Sequence, residues 1–370
     1  MAGAGMTRIG RRSESLPALM TDAARTALAE AGRESPEAIV VATMNPEEFL
    51  GDGNFASHVA THMGFADVPT LRIETATSSG AAAFYAGFAQ VAAGLRRTVL
   101  VVGGEKMTHL GTPRVSEIIG RSLDPYERAY GATMPALAGL ISRALMSRPG
   151  TTAREVAQVA VKNHANGARN PFAHFQQAVT VEAVLESRMV ADPLRLLHCC
   201  PISDGAAAVV LTADPARVRV SGVGHGTDTL AVRHRRELTT FAATRAAAGE
   251  AYAMAGFGPE LVEVAEVHDA FAPFELISLE DLGLLPPGKA GRATLDGDTA
   301  LDGRLPVNPS GGLKARGHPL AATGIAQIVE CVWQLTGRAG NRQVKGVRHA
   351  LAHSIGGLAT NNWVTLLEAR

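Results

Sequence analysis

The run Asn308-Pro-Ser-Gly-Gly-Leu-Lys-Ala-Arg-Gly-His318-Pro-Leu-Ala-Ala-Thr-Gly324 concentrates glycines, two prolines and a single histidine in one turn. Glycines let a backbone enter positive φ and approach a ligand closely. The apolar stretch 325–335 reads as a helix whose positive N-terminal end points back at that turn. An imidazole held there can polarise or protonate a developing oxyanion. A glycine-rich β-to-α turn of any α/β protein has the same spacing, so the turn alone leaves both readings open.

Other reactive side chains carry weaker signals. His58 and His62 have the i, i+4 spacing of one helix face, with no third metal ligand evident. His225 and His234 lie among Arg233, Arg235 and Arg236, a cluster that can meet phosphates or form a solvated loop. The three cysteines are Cys199, Cys200 and Cys331. Their spacing fits no zinc site, and they read as buried, reduced thiols of a cytosolic protein. No bound metal is expected.

A chain of 370 residues buries a large core and fits two similar domains. Hydrophobic content is 46% and charged content 19%, the balance of a soluble globular enzyme. A formal net charge of zero gives no electrostatic case for nucleic acid. No apolar run approaches the roughly 20 residues of a membrane span. The N-terminal residues show no basic-then-apolar signal, so a cytoplasmic location is expected.

The elements that must position these groups follow from pattern. Residues 38–42, 98–102 and 207–211 are short apolar runs bounded by turn residues, and read as buried strands. Residues 20–31, followed by Gly32, read as a helix with a glycine cap. Alternating strands and helices predict α/β layers. A weak repeat links two segments. Thr77-Ser-Ser-Gly80 leads into an apolar helix, Gly94 and the strand at 98–102. His318-Pro…Gly324 leads into an apolar helix, Gly337 and a strand-like run at 348–353. Such self-similarity implies duplication.

The 308–324 run resembles the C-terminal Asn-x-x-Gly-Gly…Gly-His-Pro…Gly-Ala-Thr-Gly signature of the thiolase superfamily. Val267-His-Asp-Ala-Phe271 resembles the His-Asp-x-Phe loop of its sterol-carrier-protein-type branch, the SCP-x-like or lipid-transfer-protein thiolases. Residues 161–174, the 192–208 region with Ser203-Asp-Gly-Ala-Ala-Ala208, and His353-Ser-Ile-Gly-Gly357 resemble further segments of that branch. The superfamily's nucleophilic Cys lies in a Cys-x-Ser-Gly turn; here Thr77 stands at that position.

The resemblance implies a duplicated, five-layered α-β-α-β-α fold. Its halves would be 1–213 and 214–370, with a loop domain at about 105–190 holding Tyr126, Tyr130, Met134, Lys162 and His164. The central helices of the two halves should be buried and apolar all round. The implied catalytic groups are Thr77 at the nucleophile position, His268, His318 and His353. Ser354, Gly356 and Gly357 form the implied backbone loop, and Tyr130, Met134, Asn308, Gly311 and Gly312 the substrate contacts. The implied substrate is an acyl-CoA thioester, with no other cofactor bound. The implied reaction is acyl transfer by Claisen-type carbon–carbon bond chemistry, altered by the missing thiol. A retro-aldol lyase acting on a 3-hydroxyacyl-CoA, and a non-catalytic subunit of a heteromeric thiolase, are the alternatives. The implied partners are a second copy, a small zinc-ribbon/OB-fold protein, or an active thiolase paralogue.

Overall fold

The apolar runs become the strands of two large sheets, beside one two-stranded ribbon, in the computed structural model, which describes residues 1–148 and 151–370. In chain order they are β1 (Gly3–Met6), β2 (Ala38–Ala42), β3 (Thr70–Ile73), β4 (Thr98–Glu105), β5 (Met189–Ala191) and β6 (Leu194–Arg195). There follow β7 (Gly205–Thr212), β8 (Val218–Thr227), β9 (Val264–Glu266), β10 (His349–Gly356) and β11 (Asn361–Ala369). The first sheet has the order β1-β7-β4-β2-β3, the second β8-β11-β10-β9, and β5 pairs with β6 in the ribbon.

The two sheets repeat one topology. In the first, β4, β2 and β3 run parallel, and β7 is antiparallel to both β4 and β1. In the second, β9 and β10 run parallel, and β11 is antiparallel to both β10 and β8. Beyond β9 a single parallel bridge, Ala265 to Val307, stands where β3 stands in the first sheet. This is the duplication that the sequence repeat implies.

Strand alternation sorts the layers. Along β4, Val99 and Val101 face the central helices, whereas Leu100 and Val102 face the outer helix Leu16–Ala31. Along β10, Ala350 and Ala352 face the central layer, and Leu351 and Ile355 face the outer helices Ala242–Ala255 and Ala272–Asp281. Helix, sheet, paired central helices, sheet and helix make five layers.

The central helices are Ser79–Ala92 and Leu320–Leu335. The second begins earlier than residue 325, so Gly324 lies inside it rather than in the turn. Its role is close approach. A Cβ on Gly324 would lie 2.6 Å from the Ala81 nitrogen, and one on Gly80 would lie 2.1 Å from the Ala321 carbonyl oxygen. The helices thus cross glycine to alanine in both directions. Leu320–Leu335 is buried along its whole length. Ser79–Ala92 is not: Tyr85, Ala86 and Phe88 are only partly buried.

Between β4 and β7 the chain adds helices that include Thr112–Gly120, Met134–Met146 and Ala153–Gly167. Residues of the first two roof the cavity described next. No helix among the described residues is long and apolar enough to cross a membrane.

Candidate active site

Thr77 and His318 each stand two residues before the first helical residue of a central helix. The Thr77 turn is tightened by Ser79, whose hydroxyl accepts the Thr75 amide at 2.9 Å and donates to the Ala76 carbonyl at 2.6 Å. Ala76 is held at φ 54°, a left-handed value that costs a non-glycine residue on the order of 1 kcal/mol. The Thr77 hydroxyl donates to the Ile355 carbonyl at 2.8 Å and accepts the Gly357 amide at 3.1 Å. Backbone from the end of β10 and the turn after it therefore occupies it as both donor and acceptor. Neither His268 nor His318 is hydrogen-bonded to it.

His268 follows β9 and precedes the helix Ala272–Asp281. The Ile355 amide donates to its Nδ1 at 3.2 Å, so the ring proton of the neutral imidazole sits on Nε2. Burial first, then the neighbouring His318, hold its pKa well below the ordinary imidazole value. His268 is thus a neutral N–H donor at pH 7. His318 follows Gly317, whose φ of 107° turns the chain towards the helix. Its Nδ1 lies 2.7 Å from the Thr323 hydroxyl, and burial pushes its pKa down to about 3. When that hydroxyl donates, Nε2 carries the proton; when it accepts, Nε2 is a free base. The two rings meet edge to face with centroids 5.1 Å apart.

Thr77, His268 and His318 line one cavity of about 270 Å³, together with Met134 and Gly357. Met107, Ile119, Phe271 and Leu320 give it an apolar wall. The structure puts the other sequence-derived site residues elsewhere. His353 shares the outer face of β10 with Leu351 and Ile355, and its Nε2 lies 3.0 Å from the Thr244 hydroxyl of the outer helix. Ser354 points to the opposite face and is buried without a partner among the described residues. Gly356 is off the cavity wall: a Cβ there would lie 2.4 Å from the Ser78 hydroxyl. The Gly357 amide reaches the wall, but its hydrogen goes to Thr77, which removes it as a free oxyanion donor. Tyr130 is 78% exposed and packs at a tilt against Tyr126 with centroids 4.8 Å apart, away from the wall.

Asn308, Gly311 and Gly312 belong to a buried clamp and do not line the cavity. Asn308 accepts the Val267 amide at 2.8 Å and donates to Glu275 at 2.7 Å. Asp269 accepts the Leu313 amide at 2.6 Å, and a Cβ on Gly312 would lie 2.4 Å from its carboxylate. Asn163 bridges Asp269 and Glu275 at 2.6 and 2.8 Å, and Lys162 pairs with Glu275 at 2.7 Å. Burial, then Glu275, push the Asp269 carboxyl up to about 6. The clamp fixes the loop that carries His268 against the turn that carries His318.

Several wall residues carried no signal that sequence reasoning used. Cys199 and Cys200 both line the cavity, and burial pushes their thiols up to about 11 and 12, so they remain protonated. Glu105, at the end of β4 and off the wall, accepts the Thr43 hydroxyl at 2.9 Å and the Met44 amide at 3.0 Å; burial pushes it up to about 7. A carboxylate ending an apolar strand was the available cue. Other histidines have local partners: His62 lies 2.8 Å from the Thr21 hydroxyl and His58 pairs with Asp52 at 2.7 Å. His164 lies 3.0 Å from the Gln177 carbonyl. In the basic cluster Arg233 pairs with Asp124, Arg235 donates to the Leu358 carbonyl, and His225 stacks on Trp363 at 3.8 Å. No group of three metal-ligating side chains occurs among the described residues.

Comparison with known proteins gives the family. Residues 1–214 match the family "Thiolase, N-terminal domain", and residues 224–369 match "Thiolase C-terminal domain-like". An acetyl-CoA acetyltransferase of Methanothermobacter thermautotrophicus is 43% identical, over 96% of this chain and 95% of that protein. Sterol carrier protein 2 of Rattus norvegicus is 33% identical, over 96% of this chain and 69% of that protein. A solved structure described as "Ltp2-ChsH2(DUF35) aldolase" superposes with a TM-score of 0.85 at 26% identity, over 100% of this chain and 97% of its own. The chain belongs to the thiolase superfamily, in its sterol-carrier-protein-type branch.

Proposed function

We propose that the protein makes or breaks the carbon–carbon bond next to the carbonyl of an acyl-CoA thioester, through an enolate held by His268 and His318. The observation that carries this reading is the pair of neutral imidazoles meeting 5.1 Å apart on the wall of one largely apolar cavity. His268 Nε2–H faces the developing enolate oxygen, a fixed donor in a place poor in water. Similarity to an acetyl-CoA acetyltransferase supports acyl transfer of the thiolase type. In that reaction an acyl group would pass through Thr77, which must give up its proton to a base.

The engaged Thr77 hydroxyl favours a second reading, a retro-aldol lyase. His318 Nε2 would take the proton from the 3-hydroxyl of a 3-hydroxyacyl-CoA. The bond between C2 and C3 breaks, its electron pair moves into the thioester as an enolate, and a ketone or aldehyde leaves. Reprotonation at C2 releases the shortened acyl-CoA. No acyl-enzyme is needed. Similarity to an aldolase structure supports this course.

The open edge of β3 and the partly buried side chains of Ser79–Ala92 support a homodimer in which a second copy continues the first sheet. The two-component description of the aldolase relative supports a partner protein, which the family resemblance makes a small zinc-ribbon/OB-fold one. Three free cysteines support a reducing, cytoplasmic setting.

The test is to incubate the chain, alone and with such a partner, with 3-oxoacyl-CoA and 3-hydroxyacyl-CoA esters, weighing both protein and products by mass spectrometry. Cleavage of 3-hydroxyacyl esters without a protein adduct selects the lyase. Thiolysis of 3-oxoacyl esters with an adduct on Thr77 selects the acyltransferase. No product in any combination leaves the non-catalytic subunit.

A further inference from the structure

The cavity that holds His268 and His318 has a mouth and a closed end. Ser116 and Thr133 on its wall are exposed to solvent, whereas Met107 and Leu320 are only 1% and 2% exposed. Met107 and Leu320 pack into a small core with Met44, Phe49, Val115 and Ile118, which backs the closed end. The backbone there is pinned. The buried Asp204 carboxylate accepts the Met107 amide at 2.7 Å, the Thr108 amide at 2.8 Å and the Thr108 hydroxyl at 2.6 Å. Hydrogen bonds to an ionised acceptor are the strong ones, so the segment after β4 is held in one place.

The same wall offers no partner for a charge. No Asp, Glu, Lys or Arg among the described residues lines it. Two cations that adjoin wall residues are engaged elsewhere. Lys106 donates to the Arg12 carbonyl at 2.7 Å and lies 3.3 Å from Asp204, and Lys314 donates to the Cys199 carbonyl at 2.6 Å. Both wall histidines are neutral at pH 7 and both wall thiols are protonated. A carboxylate brought inside would lose its water and gain no counter-ion, which is strongly unfavourable. Bulk is limited as well. An apolar cavity of roughly 150 Å³ is enough to hold benzene. At about 270 Å³, this one has room for the reacting thioester and one group of about that size.

We propose that the acyl group is compact and uncharged, that it enters past Ser116 and Thr133, and that Met107 is the specificity-determining residue that limits its length. A methionine suits the place, since its unbranched thioether moulds to the end of an apolar chain. Asp204 keeps the backbone beneath it from retreating. Dicarboxylic acyl groups are excluded by charge and long straight chains by the closed end. The proposal rests on the acyl-CoA reading above and holds for either reaction.

Saturated acyl-CoA esters test this by binding, with no turnover required. The full chain is titrated calorimetrically with a straight-chain series from acetyl-CoA to dodecanoyl-CoA. Succinyl-CoA is compared with 4-methylpentanoyl-CoA, which has the same shape without the charge. Affinity is expected to rise over the short chains and then fall on the order of tenfold or more as the closed end is overfilled. Succinyl-CoA should bind on the order of 10²-fold more weakly than its neutral counterpart. Met107→Ala should move the fall to chains longer by about two carbons. In wild type carrying 13C-methyl methionine, 4-methylpentanoyl-CoA should shift the Met107 methyl beyond any shift that CoA alone causes, which decides the matter should the variant fail to fold. Affinity that keeps rising to dodecanoyl-CoA, equal binding of the charged and neutral pair, an unmoved Met107 methyl, or an unchanged cut-off in folded Met107→Ala would overturn the proposal. If no ester binds more tightly than CoA itself, the acyl-CoA reading fails, and this proposal with it.

Discussion

Thr77 and His318 occupy equivalent places in two copies of one topology, yet the two turns have diverged in what they offer a substrate. At Thr77 the backbone takes everything: Ile355 accepts its proton and Gly357 donates to its oxygen. At His318 the Ser203 hydroxyl takes only the main-chain amide, and a second hydroxyl, Thr323, sets the ring. The central helices behind them diverge too. Leu320–Leu335 is buried throughout, whereas Ser79–Ala92 is only partly buried. The C-terminal half supplies the side chains that can move charge. The N-terminal half supplies a wall and an edge.

The sharpest way to break this contrast is to remove a donor from the C-terminal half. His268→Ala takes away the fixed Nε2–H. We expect turnover to fall on the order of 10²-fold or more, by analogy with loss of an oxyanion-hole donor. Steady-state kinetics on the responding CoA ester checks it, and a change under fivefold would remove His268 from the chemistry.

The opposite experiment restores a thiol to the N-terminal half. Thr77→Cys places sulfur at a helix N-terminus beside the Gly357 amide, conditions that favour thiolate. Iodoacetamide should label residue 77 on the order of tenfold faster than Cys199 or Cys200, whose thiols burial pushes to about 11 and 12. Equal slow labelling at all sites would show that the turn no longer supports thiolate chemistry.

The shared part of the two halves can be tested by packing. Gly80→Ala and Gly324→Ala each add a methyl where backbone approaches within 2.1 and 2.6 Å. Each is expected to cost about 1–3 kcal/mol or more in denaturant unfolding, since a close-packed crossing cannot absorb the extra volume. A neutral result at either position would mean that the helices do not cross as closely as described.

The smallest effect is a pH dependence of stability. His318 and His353 are held down to about 3, and His164 and His198 to about 4, chiefly by burial. The unfolded chain binds these protons near pH 6.5 and the folded one does not, so stability is fully present above about pH 6.5 and falls as the pH drops towards 4. Glu105 and Asp269, which burial holds up to about 7 and about 6, run the other way, so the histidine part is read from NMR of the ring protons between pH 5 and 8: the four rings should not titrate there, and any of them protonating above about pH 6 would contradict the neutral-histidine description.

Much of this was legible in the sequence, for stated reasons. Residues 38–42 form β2 with those bounds, because a short β-branched run between turn residues has few other uses. His268, His318 and Met134 reach the cavity, where the motifs place them. What failed depended on one-residue choices. His353 and Ser354 differ only in which face of β10 they take, and neither face opens on the cavity. Gly324 signals a turn by composition but serves a helix crossing. Asn308, Gly311 and Gly312 look like a ligand loop because glycines near a carboxylate fit both a ligand and a clamp; Asp269 and Glu275 decide for the clamp. The cavity's apolar roof comes from a long insertion whose packing no local pattern announces.

The central proposal, on the lyase reading, is that the chemistry resides with the histidines of the C-terminal half and not with an acylated Thr77. Turnover of His318→Ala and Thr77→Val, measured side by side on the same CoA ester, tests it most directly. Thr77→Val leaves the Ile355 carbonyl and the Gly357 amide unpaired, which should cost about 1–3 kcal/mol of stability. The account predicts a turnover loss on the order of 10²-fold or more for His318→Ala and under about tenfold for folded Thr77→Val. An inactive Thr77→Val beside a nearly wild-type His318→Ala would contradict it.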